Sequence, residues 1–365
     1  YEEINRLAGT EKHYFAAANT SAGFVSFFDA IFDPKQLKKI YILKGGPGVG
    51  KSTLMKNAAL AAQKNGFHPI FYHCSSDPKS LDGLLIPETG KAVLDGTAPH
   101  MVDPRYAGAK EEIVPLGEAW NIPLLEKEAA HICEISDAKS GHYRAAYRLL
   151  AAAKNAEEEM RDIGVRCLDR AKMRAAAARL CAKHLKKGGT GLLTPAVADA
   201  VSCDGVIRFF TPEKTAKHLY FVKDSHALSG TFFSVLCDLA LRSGAKVTAG
   251  VRVPNASEYA FLFLEEPSVC ISLYDDAYCA ALDRAERPYK IINLGRFFDT
   301  KRFAPSRAKY RFAEKCRDAL MNAATEELAE AGALHASLEK IYGKATDYRV
   351  VSEMSDKVIR ALLSK

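Results

Sequence analysis

At 365 residues, 48% of them hydrophobic and 26% charged, the chain has the composition of a globular protein long enough for two ordinary domains. A net charge of +7 is modest for that length and by itself predicts neither a nucleic-acid partner nor an acidic one. With no run of about eighteen uncharged apolar residues, no signal peptide and nine cysteines lacking C-x-x-C spacing, it is expected in the cytoplasm, with reduced thiols and no membrane span, disulfide frame or cysteine zinc site.

Residues 1–19 begin polar, with 13–18 expected as a first strand and 24–32 as a short helix. The apolar run at 40–44 reads as a buried parallel strand. The segment 52–65, carrying Leu54, Met55, Ala58, Leu60, Ala61 and Ala62, reads as a helix that Gly66 stops. Further strands are expected at 68–74, ending in polar Ser75, Ser76 and Asp77, at 84–88, at 92–95, and at 113–116. From about 124 to 187 the chain is rich in Ala, Glu, Lys and Arg at helical spacing, which predicts a helical hairpin bending near Gly164. The stretch 186–191, Lys-Lys-Gly-Gly-Thr-Gly, is the clearest linker. Within the hairpin, 161–187 is the most basic segment, with Arg166, Arg170, Lys172, Arg174, Arg179, Lys183, Lys186 and Lys187. No aromatic residue stands between them for base stacking, so it reads as a solvated helix face.

The loop between the 40–44 strand and the helix after it meets the pattern G-x-x-x-x-G-K-[ST] in full, through Gly45, Gly50, Lys51 and Ser52. Each residue type has a physical task. Glycines let the backbone turn its N–H groups around phosphate oxygens at φ values that a side chain would disfavour. Lys51 sets a charge on the β- and γ-phosphates, Ser52 offers a hydroxyl to Mg²⁺, and the helix N-terminus adds a partial positive charge. A chance glycine loop is disfavoured by the strand before and the helix after. The expected nucleotide contacts are Gly45, Gly46, Pro47, Gly48, Val49, Gly50, Lys51, Ser52 and Thr53, with ATP and Mg²⁺ as ligands. No guanine-type N-K-x-D motif occurs, which favours ATP over GTP.

A second metal-holding acid is expected at the carboxyl end of a neighbouring strand, and Asp95, after Ala92, Val93 and Leu94, is the best candidate. The competing reading is a turn aspartate. Two polar clusters fall at strand ends, one of His73, Cys74, Ser75, Ser76, Asp77 and Asp82, the other of Asp95, Thr97 and His100. In an ATPase, Glu88, Asp77 or Asp95 would orient the attacking water; in a kinase, Asp77 or Asp82 would accept a proton from the substrate hydroxyl. Spacing alone gives a His73, Cys74 and His100 metal site little support. Arg105, Arg208 and Arg296 are the candidates for an arginine that stabilises a transferring phosphoryl group.

The second half replays the first. Residues 218–223 match 39–44 at an offset of 223 − 44 = 179, and a helix expected at 231–243 stops at Gly244 as the first stops at Gly66, an offset of 178. Ser-Leu-Tyr-Asp at 272–275 resembles Ala-Val-Leu-Asp at 92–95, 291–295 resembles 112–117 (294 − 116 = 178), and 317–342 with 347–363 repeats the helical hairpin. The loop itself is not preserved. Asp-Ser-His-Ala-Leu-Ser-Gly-Thr fills 224–231, one residue shorter, and no lysine follows until after Ala245. Asp224 would add negative charge where triphosphate should sit, although Thr231 keeps a hydroxyl for Mg²⁺ and His226 with Ser229 would serve a different ligand.

Phe-Ala-Ala-Ala-Asn-Thr at 15–20, Leu-Lys-Gly-Gly-Pro-Gly-Val-Gly-Lys-Ser-Thr at 43–53, His-Cys-Ser-Ser-Asp-Pro at 73–78 and Leu-Asp-Gly-Thr-Ala-Pro-His at 94–100 resemble a poorly characterised bacterial family of tandem P-loop ATPases. The resemblance spans nearly the whole chain and is strongest before Gly117. It implies an α/β fold of two tandem P-loop NTPase-like modules with mainly parallel sheets, each followed by a helical hairpin. The boundaries expected here are 1–190 for the active module and 191–365 for the degenerate one. In that family the second module often carries a P-loop of its own, from which this chain departs.

The expected function is Mg-dependent ATP binding and hydrolysis at the first loop. The second module would regulate it or, with the helical hairpins, dock a protein partner, and a homo-oligomer fits the same surfaces. The alternatives are a small-molecule or nucleotide kinase and a nucleotide-binding switch with little turnover.

Overall fold

The computed structural model describes residues 11–186 and 188–364; the polar start at 1–10 and Lys187 of the expected linker lie outside them. The first half runs β1 (Lys12–Phe15), β2 (Ala17–Thr20), β3 (Gly23–Ser26), α1 (Phe28–Ile31), β4 (Lys39–Lys44), α2 (Lys51–Lys64), β5 (Ile70–His73), β6 (Leu81–Ile86), β7 (Lys91–Asp95), β8 (Glu111–Pro115), α3 (Ile122–Lys127), α4 (Ala129–Arg166) and α5 (Arg170–His184). The second runs β9 (Leu192–Ala196), β10 (Asp199–Ser202), β11 (Gly205–Arg208), α6 (Thr211–Thr215), β12 (His218–Lys223), α7 (Ser229–Arg242), β13 (Lys246–Val251), β14 (Tyr259–Leu264), β15 (Val269–Leu273), α8 (Asp276–Arg284), β16 (Lys290–Asn293), α9 (Thr300–Phe303), α10 (Arg307–Lys344) and α11 (Tyr348–Leu363).

These elements form an α/β architecture with two six-stranded sheets of identical topology. The first has the order β1-β5-β6-β7-β4-β8 and the second β9-β13-β14-β15-β12-β16. Every pairing recurs, which is the repeat seen in the sequence. Three of the five pairings in each sheet are parallel; β6 and β14 run antiparallel to both neighbours. The sheets are therefore mostly parallel, as expected, and mixed through one antiparallel strand each. The reason is connection length: β6 and β7 are joined by a tight turn in which the Gly90 N–H donates to the Ile86 carbonyl at 3.0 Å, and so short a link joins only antiparallel neighbours.

Period-two alternation sorts β4 between two cores. Tyr41 and Leu43 pack with Leu54, Met55 and Ala58 of α2, whereas Ile40 and Ile42 face Phe28, Phe32 and Tyr72. A strand apolar on both faces belongs inside a sheet, and β4 lies between β7 and β8.

The compact units are not the two halves. One unit comprises Leu149–Asp199 and Arg208–Asn322; the other comprises Glu11–Arg148, Ala200–Ile207 and 323–364. The boundaries fall within α4, within α10 and in the β10–β11 hairpin, not at the glycine-rich 186–191 stretch. The cause is an exchange of terminal helices. α11, which ends the second repeat, buries Val351, Val358 and Leu362 against the first sheet's α2. α5, which ends the first repeat, buries Met173, Ala177 and Cys181 against the second sheet's α7. At roughly 1.5–3 kcal/mol for a fully buried aliphatic side chain, these stripes hold each helix to its sheet. The hairpin bend falls at 167–169 and not at Gly164, which lies inside α4. Glycine is required there because a Cβ would sit 2.1 Å from the His226 carbonyl oxygen. No described helix is long and apolar enough to cross a membrane.

Candidate functional site

The glycine-rich loop leaves the carboxyl end of β4 and enters α2 at Lys51, with Gly48 at φ 70° and Gly50 at φ 97°. Both angles lie in the left-handed region that glycine alone adopts freely. Val49 turns inward and is fully buried, while Thr53 faces solvent on the first turn of α2. Lys51 folds back over the loop. Its Nζ donates to the carbonyls of Gly45 (2.6 Å) and Gly46 (2.8 Å) and stands 3.6 Å from Asp95 Oδ2. Asp95 ends β7, the strand parallel to β4, in register with Leu43. Its Oδ1 accepts from the Thr97 N–H (2.9 Å) and hydroxyl (2.5 Å). Burial raises its pKa against the pull of Lys51 and these bonds. Ser52 Oγ accepts from the Leu81 N–H at 3.0 Å, tying the first turn of α2 to β6. Loop amides, an ammonium, a hydroxyl and a carboxylate at adjacent strand ends are a donor set that fits a nucleoside triphosphate and Mg²⁺.

The two expected polar clusters meet through Asp82 and His100. His100 Nε2 lies 3.0 Å from Asp82 Oδ2 with both side chains buried, an ion pair by distance without hydrogen-bond alignment. The His100 ring stacks on Phe28, centroids 4.6 Å apart. Burial opposes its charge, but Asp82 and Asp95 outweigh burial and raise its pKa. Asp77 caps its own turn, accepting from Lys79 N–H (3.1 Å) and the Ser80 hydroxyl (2.7 Å). His73 stands apart from His100, bonding the Pro78 carbonyl through Nδ1 (2.7 Å) and His13 through Nε2 (2.9 Å). Burial raises the Cys74 thiol well above its usual range. Among the described residues no group of three or more His, Cys, Asp or Glu is arranged to hold a metal.

Glu88 does not join the site. It lies in the β6–β7 turn, at the amino end of β7, where it accepts from the His68 N–H at 2.9 Å. Arg105 pairs with Asp29 at 3.5 Å on the surface. Arg208 and Arg296 belong to the other unit, Arg208 buried with Glu213 at 3.1 Å and Asp199 at 3.6 Å.

Sequence reading missed the groups that cover the loop, all but Trp120 from the end of the chain. Beside Gly46, an added Cβ would meet Trp120 and Tyr342 at 3.2 Å, and at Gly48 it would lie 2.6 Å from the Glu339 carbonyl oxygen. The Tyr348 hydroxyl donates to the Gly48 carbonyl at 2.9 Å. On α10, His335 is held below its usual pKa by burial and by the charges of Lys139 and Lys51, while burial and Asp77 raise Glu339. The repeat would have pointed to 335–348 only if the helix exchange were known.

The second loop is built otherwise. α7 begins at Ser229 where α2 begins at Lys51, an offset of 178, which sets Gly230 against Ser52. Val222 pairs with Leu273 as Leu43 pairs with Asp95, so Leu273 takes the acid's place. The expected match of Asp275 with Asp95 is two residues out; Asp275 caps α8 by accepting from the Tyr278 N–H at 2.7 Å. The Asp224 carboxylate fills the turn, accepting from the N–H groups of His226 (2.9 Å), Leu228 (2.7 Å) and Ser229 (2.7 Å). Glu258 closes over Gly230, where a Cβ would lie 2.6 Å from its carboxyl carbon. The His226 ring stacks on Phe298 at 3.7 Å. Lysine, hydroxyl and acid are all lost, and two carboxylates stand where phosphates would.

No protein-family model matches the chain, and no curated protein or solved structure is significantly similar to it.

Proposed function

We propose that the chain binds Mg-ATP at residues 45–53 and hydrolyses it, the second repeat being a module without nucleotide chemistry. The observation that carries this reading is the complete glycine loop between β4 and α2, with Lys51 Nζ 3.6 Å from the carboxylate that ends the neighbouring parallel strand. The resemblance to tandem P-loop ATPases points the same way.

In this reading the N–H groups of 48–52 hold the phosphates, and Lys51 exchanges the Gly45 and Gly46 carbonyls for phosphate oxygens. Ser52 and Asp95 hold the metal, Asp95 ionising as its burial penalty is offset by the cations beside it. A bound Mg²⁺ would supply positive charge to offset the negative charge that develops on the phosphate oxygens. Asp77, in the turn between β5 and β6, is the expected group left to orient water, once it releases the Ser80 hydroxyl.

One observation favours a second reading, a switch with little turnover. Asp77, Asp82 and Asp95 are each already engaged, by Ser80, His100 and Thr97 with Lys51, so no carboxylate of the three stands free to activate water. Steady-state phosphate release decides between them. Turnover abolished by Lys51→Ala supports the ATPase; tight Mg-ATP binding without turnover supports the switch; neither binding nor turnover overturns both.

A further inference from the structure

Lys172, Arg179 and Lys183 are spaced seven and four apart, which sets them on one stripe of α5. Across from them, in the same compact unit, the turn after β16 presents Arg296 and Phe297. Two adjoining clefts of about 220 and 260 Å³ lie between these walls, and Arg179, Arg296 and Phe297 line both. Tyr220 lines the larger one, its hydroxyl accepting from Lys183 Nζ at 3.0 Å. Four cations line the clefts, and no carboxylate does. Lys172 has a surface partner, Asp169, at 2.9 Å, but neither arginine is paired with an acid among the described residues.

The repeat supplies an internal control. Asp169 N–H bonds the Phe297 carbonyl as Asp347 N–H bonds that of Ala119, both at 2.8 Å, which fixes the offset at 178. At that offset Val350 stands for Lys172, Lys357 for Arg179, Ala361 for Lys183 and Glu118 for Arg296. The first repeat therefore keeps one cation of four and carries an acid opposite, so the charge is not a by-product of the shared fold. Like charges facing across a cleft repel one another unless an anion bridges them.

We propose that this cleft binds a phosphate-bearing anion, carried by a small molecule or by a single nucleic-acid strand. Guanidinium forks match phosphate oxygens two at a time, and Phe297 gives the attached group an apolar wall. The aromatic side chains that the basic segment lacks in sequence come from the opposite wall.

The test is titration of pyrophosphate into the Lys51→Ala protein, so that the glycine loop does not dominate the signal. One saturable site is expected, weakening as salt rises. Arg179→Ala with Arg296→Ala should lower its affinity roughly tenfold or more, while Arg174→Ala, exposed on α5 outside the clefts, should change it less than about twofold. Competition then distinguishes the sources: displacement by ADP at lower concentration than by a short single-stranded oligonucleotide assigns a small molecule, and the reverse order assigns a strand. Absence of a saturable site, or equal losses in Arg174→Ala and the double variant, overturns the proposal. All three arginines are exposed, so folding of the variants is checked by circular dichroism and thermal melting.

Discussion

Tyr348 donates its hydroxyl to the carbonyl of Gly48 at 2.9 Å, across 300 positions of sequence. The contact fastens the start of α11 to the middle of the glycine loop, and the Glu339 carbonyl lies against the same glycine. Gly48→Ala would combine a φ of 70° with a backbone clash at 2.6 Å. The expected loss is about 2–4 kcal/mol, from left-handed strain and overpacking together, read by urea unfolding. Tyr348→Phe should cost about 0.5–1 kcal/mol, because water replaces the bond at an exposed position. Equal losses in the two variants would mean that packing, not backbone geometry, sets the loop's shape.

Asp95→Asn preserves shape and removes a charge 3.6 Å from Lys51. Under the proposed function, nucleotide binding persists and hydrolysis falls by roughly a hundredfold or more, the scale of losing one electrostatic stabiliser. Single-turnover phosphate release measures it. Because burial raises this carboxyl's pKa, ionising it opposes folding as pH rises above the carboxylate range, and the asparagine variant lacks that penalty. Relative to wild type, its stability should therefore improve from pH 4 to pH 7; a constant difference would show that Lys51 compensates the charge fully.

What the sequence disclosed follows from how local each determinant is. Gly45, Gly50, Lys51 and Ser52 fall within eight residues, and the strand and helix around them are set by neighbours within a few residues, so loop, strand and helix lie where expected. The β2–β3 hairpin was illegible because Ala17–Thr20 is buried on both faces and merges with the preceding strand by composition, and because Phe24 and Val25 resemble a helix start. Strand direction in β6 depends on its turns, which apolar spacing does not encode. The match of Asp275 to Asp95 was chemically attractive, yet ladder hydrogen bonds, not residue likeness, fix register. The helix exchange was the largest omission: the stripes of α5 and α11 declare an apolar face without saying which sheet it covers.

His73 offers a pH test independent of nucleotide. Burial, with His13 beside it, pushes its pKa down to about 4, so the folded state holds it neutral. The unfolded chain takes up the proton near pH 6.5, and stability present above that value is lost as pH falls toward 4. The shift corresponds to roughly 3 kcal/mol across that window. His100, whose raised pKa acts in the opposite sense, remains in both proteins, so the comparison isolates His73. His73→Asn keeps an amide donor for the Pro78 carbonyl and removes the titration; its denaturation midpoint should fall less between pH 7 and 5 than that of wild type. Parallel curves would place the acid sensitivity elsewhere.

Asp224 holds three N–H groups of its own loop, the donors that a phosphate would need. Asp224→Ala leaves them without their carboxylate at the start of a fourteen-residue helix, and the expected cost is about 2 kcal/mol, the upper range for losing such a cap. Freeing the amides should not create an Mg-ATP site. Ser229, Gly230 and Leu273 supply neither the ammonium, the metal-binding hydroxyl nor the acid, and Glu258 still stands against Gly230. Not counting any equivalent that Arg179→Ala with Arg296→Ala removes, calorimetric titration of a non-hydrolysable Mg-ATP analogue should thus give one site per chain in wild type and in Asp224→Ala alike, and none at the glycine loop in Lys51→Ala. A second equivalent appearing only in Asp224→Ala would show that the carboxylate alone keeps nucleotide out. Two equivalents in wild type would mean that the second loop exchanges Asp224 for phosphate, and a two-site engine would replace the single active site.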